Sequence, residues 1–175
     1  MTEYEKTLEN DPHHIEAQLC IILVLIDTTD YEEANRRFTN LQSQHQGVTS
    51  NAKKIAGHYK AIANLYHIEG KQQLALQTYT KSLEFWPHDN DCRKSLARIF
   101  IQQKKYQKAL EQLQNIIQTS PKDDEAISLL GLVKYLQGQK QAAERHWMQA
   151  RRMNISNASA KTFLHVFQSK HHQSN

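Results

Sequence analysis

The side chains that could do chemistry in this chain are ten histidines and two cysteines, with scattered serines and carboxylates around them. A zinc site needs ligands whose spacing converges on one point, such as His-Glu-x-x-His on one helix face or paired Cys-x-x-Cys knuckles. Neither pattern occurs. Cys20 and Cys92 are far apart, and the doublets His13-His14 and His171-His172 point neighbouring residues in different directions. Two isolated cysteines also make no disulfide framework. Ser50 and Ser120 lack the Gly-x-Ser-x-Gly turn that exposes a nucleophile. The five glycines, at positions 47, 57, 70, 131 and 138, form no cluster that could cradle phosphates. Asp89, Asp91, Asp123 and Asp124 stand where helices begin, so capping accounts for them. Asn154-Ile-Ser156 and Asn157-Ala-Ser159 fit the glycosylation acceptor pattern but read as turn residues. The expectation is a non-enzyme with no catalytic residue, cofactor or metal.

Charge is unevenly distributed. Residues 1–87 carry 8 Lys and Arg against 11 Asp and Glu, whereas residues 88–175 carry 14 against 7. A positive second half could attract an acidic peptide, an anionic membrane face or nucleic acid, or be a solvated surface. For nucleic acid the candidates are Arg93, Lys94, Arg98, Lys104, Lys105, Lys108, Arg151 and Arg152. No base-stacking aromatics are interleaved with them, which disfavours that reading. The most apolar run, Leu19 to Ile26, is far shorter than the roughly 20 residues that span a bilayer and reads as a buried helix face. No export address precedes it, so the default compartment is the cytoplasm, with the periplasm an alternative for a fragment of an exported protein.

The elements that must position these residues are helices. Only five Gly and three Pro are available to break them. Pro87 and Pro121 are 34 residues apart, and residue classes recur at that period. Residues 56–89 give Tyr59, Ile62, Ala63, Tyr66, Gly70, Ala75, Tyr79 and Ser82 before Pro87. Residues 90–123 repeat this with Leu96, Ala97, Phe100, Ala109 and Ile116, and residues 124–157 with Leu130, Gly131, Gly138, Ala143, Trp147 and Ala150. A more divergent copy at 15–48 offers Ile21, Ile22, Leu25, Tyr31, Ala34, Phe38 and Leu41. Extra residues from Thr49 to Ile55 follow, read as a longer loop or an extended helix. Small residues at 63, 97 and 131, and at 75, 109 and 143, would let paired helices approach closely. The aromatics Tyr59, Tyr66, Phe100 and Trp147 would fill the remaining space.

This pattern resembles the tetratricopeptide repeat. The resemblance implies an all-α, right-handed α-solenoid of antiparallel helix-turn-helix repeats with a C-terminal capping helix. One domain is expected over 1–175: the second helix of an incomplete repeat at 1–14, a divergent repeat with its extension at 15–55, repeats at 56–89, 90–123 and 124–157, a capping helix at 158–170 and a tail at 171–175. The family's first helices line a concave groove. That would place Leu19, Leu23 and Ile26 at an apolar end, with Lys60, Asn64 and His67 next, Lys94, Arg98 and Ile101 beyond them, and Ser128, Leu132 and Tyr135 at the far end. Lys60, Lys94 and Arg98 would make its middle basic, and the charge of His67 could respond to pH. Lys60 and Asn64 match the first two residues of the carboxylate clamp of chaperone-binding family members. Ser95, Glu125 and Leu129 then depart from it, which disfavours a chaperone-tail binder.

The function implied is a protein-interaction module, an adaptor or scaffold whose partner is a protein or peptide with acidic and apolar residues. The alternatives are a targeting domain of a longer enzyme, or a basic nucleic-acid-binding surface. Self-association through the apolar face of Tyr4 and Leu8 also stays open.

Overall fold

The computed structural model describes residues 3–28, 30–44 and 49–172. Gly47, residues 173–175 and the side chains of Tyr31, Ser50, His171 and His172 lie outside that description. The described residues form ten helices and no strand, and none of those helices is long and apolar enough to cross a membrane. The chain divides into two compact units, Met1–His88 and Asp89–Asn175.

The first unit holds α1 (Glu3–Asn10), α2 (Ile15–Asp27), α3 (Tyr31–Gln44), α4 (Thr49–Ile68) and α5 (Gln72–Phe85). Helices α2 and α3 form one pair, α4 and α5 another, and α2 touches α4. The residues added before Ile55 extend a helix: α4 begins at Thr49, and Ala52 and Ile55 are buried with Ile22, Phe38 and Leu41. Phe85 closes this core, stacked on Tyr59 at 5.2 Å and edge-on to Phe38 at 4.5 Å. Deep in the same unit, the Ser82 hydroxyl donates to the Ala56 carbonyl at 2.8 Å. The apolar run is not buried throughout, because one helix cannot turn eight consecutive residues inward. Ile21, Ile22 and Ile26 face the core while Val24 is exposed.

The second unit holds α6 (Asn90–Gln102), α7 (Tyr106–Thr119), α8 (Asp124–Leu136), α9 (Lys140–Met153) and α10 (Ala158–His172). Helices α6 and α7 pair, as do α8 and α9, while α6, α8 and α10 touch in succession as one row of first helices. Ala160, Leu164 and Phe167 bury the inner side of α10. Ala97 and Ala109 are fully buried, as are their counterparts Ala63 and Ala75 in the first unit. Gly131 is needed where it stands: a Cβ there would lie 2.5 Å from Trp147 Nε1, which donates to the Ser128 carbonyl at 3.1 Å. Tyr66 and Phe100 do not bury as Tyr59 and Trp147 do. Each stays partly exposed, with the ammonium of Lys71 or Lys108 5.9 Å from its ring centroid.

The 34-residue period reappears as punctuation. Asp89, Asp123 and Asn157 each accept a hydrogen bond from the backbone N–H three residues on, at 2.9, 2.9 and 2.7 Å, capping α6, α8 and α10. Midway, Gly70, Lys104 and Gly138 each adopt positive φ, of 74°, 58° and 82°, and let one helix end and the next begin within three residues.

Candidate interaction face

In the first unit the residues read from the sequence lie on α4. Lys60 is half-buried, and Asn64, though exposed, accepts a hydrogen bond at 2.5 Å from the Tyr79 phenol on α5. His67 is half-buried, and its Nδ1 has no hydrogen-bond partner among the described residues. Beyond it Leu65 and Ile68 are exposed, Ile68 at 81%. On α2, Leu19 and Leu23 pack against the core and Ile26 is wholly inside it, so Ile26 does not line a groove.

In the second unit the expected basic stripe is largely neutralised. Lys94 is only 8% exposed, and its ammonium lies 2.9 Å from Glu125, 3.1 Å from Asp91 and 3.5 Å from Asp123. Burial would by itself lower the pKa of Lys94. Hydrogen bonds with Glu125 and Asp91 and the charge of Asp123 outweigh that and hold it above the ordinary lysine value. Glu125 also accepts from the Arg98 guanidinium. Unlike Lys94, this pair is accessible, both side chains being 40% exposed. Lys94 and Arg98 are thus brought together by a shared carboxylate from the next first helix. Asp91 and Glu125 occupy groove positions by the repeat register, and Asp91 reaches Lys94 along α6 itself; the contacts of Asp123 and Glu125 with Lys94 arise only when folding places α8 beside α6.

The other residues read from this unit divide by burial. Ile101 and Ser128 are buried, and the Ser128 hydroxyl donates to Asn157 Oδ1 at 3.3 Å. The half-buried Tyr135 ring packs against the core, 5.8 Å from Trp147 and 6.4 Å from Phe167. Leu132 is half-buried. Two further apolar side chains are exposed on the same row, Leu136 at 42% and Val166 at 44%, the latter expected from the sequence on the apolar face of the capping helix. Arg98, Leu132 and Val166 are spaced by the repeat period, and each comes from a first helix.

Two further readings meet local geometry. Asn154 and Asn157 both donate to the Asp124 carboxylate, at 3.0 and 2.6 Å, so these acceptor-pattern residues hold the entry to α10. Of the cations considered for nucleic acid, Arg93 donates to Gln112 at 3.0 Å, Lys108 covers Phe100, and Lys94 and Arg98 are ion-paired. On α9, burial together with the charges of Lys134 and Arg145 lowers the pKa of His146. Among the described residues, no three His, Cys, Asp or Glu side chains gather as a metal site would require.

Comparison with known proteins gives one consistent answer about the fold. Residues 66–133 match the family profile described as tetratricopeptide repeat. No curated protein sequence matches the chain. Among solved structures it is similar to the first TPR of Spaghetti (RPAP3) bound to an HSP90 peptide, SRMEEVD, with 19% identity and a TM-score of 0.60 over 66% of this chain and 91% of that one. It is likewise similar to the Sgt2 TPR domain from Aspergillus fumigatus, with 19% identity and a TM-score of 0.61 over 69% of this chain and 81% of that one. MamA matches over 89% of this chain and 86% of its own, with 19% identity and a TM-score of 0.54. At such identities the likeness establishes the fold alone.

Proposed function

Starting from a chain folded as tetratricopeptide repeats, we propose that it is a protein-interaction module, an adaptor or scaffold that holds a partner segment against the first helices of its repeats. The observation that carries this reading is the row of equivalent residues Arg98, Leu132 and Val166 on α6, α8 and α10, three adjoining helices that offer one cation and two apolar side chains at a regular spacing. Leu136 widens the apolar part. The partner is a peptide or an extended segment with apolar residues for Leu132, Leu136 and Val166 and a carboxylate that takes Arg98 from Glu125. Lys94, Ile101, Ser128 and Tyr135 support this face from beneath; within the first unit, Lys60, Asn64 and His67 on α4 form a contact set of their own.

The similar proteins include one bound to an HSP90 peptide, but the residue chemistry here supports a different ligand. A carboxylate clamp needs free cations, whereas Glu125 and its neighbours already occupy Lys94. The test is affinity capture from the native lysate with wild type beside an Arg98→Glu, Leu132→Asp, Val166→Asp variant whose circular dichroism matches wild type. Loss of a specific partner in the variant is expected. Equal capture by both would move the interaction off this row.

A further inference from the structure

We propose a second docking surface, on the outer side of α9 and α10, that receives an amphipathic helix with an acidic flank. Two adjoining depressions lie there, of about 370 and 530 Å³, and they share Met148 and Arg152. Their apolar side chains are Met148, 40% exposed, and Ile155, 80% exposed, with only the edge of the buried Leu164 contributed by α10. Met153 adds a further exposed apolar side chain, at 43%. The rim is cationic. Arg145, Arg151 and Arg152 are all exposed, none is ion-paired among the described residues, and no carboxylate lines either depression.

Three features select the occupant. Positions 145, 148, 149, 152 and 153 fall on one face of α9, so the surface is a stripe about 12 Å long, enough for two turns of a docked helix. Two of the four apolar side chains are methionines, whose flexible thioethers adapt to apolar side chains pressed against them. Three guanidinium groups without carboxylates favour a segment that brings its own, and Arg pairs with carboxylates in bidentate fashion. The surface is separate from the row of Arg98, Leu132 and Val166, since Leu164 and Gln168 line this side of α10 while Val166 does not.

The probe is a synthetic helical peptide with Leu on one face and Glu flanking it, compared with a scrambled peptide of the same composition. Binding to the full chain is followed by fluorescence anisotropy and by the methyl NMR signals of Met148 and Met153. The expected result is saturable binding of the amphipathic peptide that shifts both methyls, weakens with added salt, and falls about tenfold in an Arg151→Glu, Arg152→Glu variant. A peptide with Lys in place of Glu should then prefer that variant over wild type. Unmoved methyls or equal binding of the scrambled peptide would overturn the proposal. So would binding to phosphatidylserine vesicles without binding to the peptide, which would mark a lipid surface. Self-association abolished by the same substitutions, again without peptide binding, would mark an interface between copies and overturn it too. None of these results bears on Arg98, Leu132 or Val166, so this surface and the proposed function fail separately.

Discussion

Lys104 occupies a backbone conformation that its two counterparts give to glycine. At φ 58° its Cβ crowds the following carbonyl, a strain that Gly70 and Gly138 avoid at the same place in their repeats. The turn forms all the same because its hydrogen bonds hold it, Lys105 N–H reaching the Phe100 carbonyl at 2.8 Å as Lys71 reaches Tyr66. Lys104 is exposed and has no ion pair among the described residues, so little is lost with the side chain. Lys104→Gly should therefore stabilise the protein by about 1 kcal/mol, visible in thermal unfolding as a rise in Tm of a few degrees. An unchanged or lower Tm would show that the turn is not under strain.

Between elements the repeat works through size. Helices α8 and α9 can approach because Gly131 leaves room for the Trp147 indole, which in turn holds the Ser128 carbonyl. Gly131→Ala forces a methyl against that ring, with no flexible side-chain end able to retreat, and should cost about 1–3 kcal/mol in chemical denaturation although alanine is the better helix former. A neutral result would mean that the indole has other room.

How far the sequence could be read follows from the same contrast. The alanine and glycine positions, the cap residues Asp89 and Asp123 and the helix-stopping prolines act within a repeat, so one sequence displays them. The Lys94 cluster is legible only in part: Asp91 stands three residues before it on α6, but Asp123 and Glu125 come from the cap and first turn of α8 and are placed there by packing. Tyr135 falls at a groove position by the repeat register but one place from the usual aromatic slot, which leaves a core role open; it packs on Trp147 and Phe167, while its neighbour Leu136 is exposed. A helix advances about 100° per residue, so an error of one position exchanges core for surface.

For the molecule as a whole, the helix pairs of each unit present surfaces whose specificity lies in a few exposed side chains. The account assigns two such surfaces to the second unit, one on the first-helix row and one on the outer side of α9 and α10. The row is the central claim, and site-specific photo-crosslinking tests it most directly. A photoreactive amino acid is placed in turn at Arg98, Leu132 and Val166, and as a control at Gln114, exposed on α7. With the partner captured by the wild-type chain present, the account predicts crosslinks from all three row positions and none from Gln114. Crosslinks from Gln114 with a silent row would contradict it.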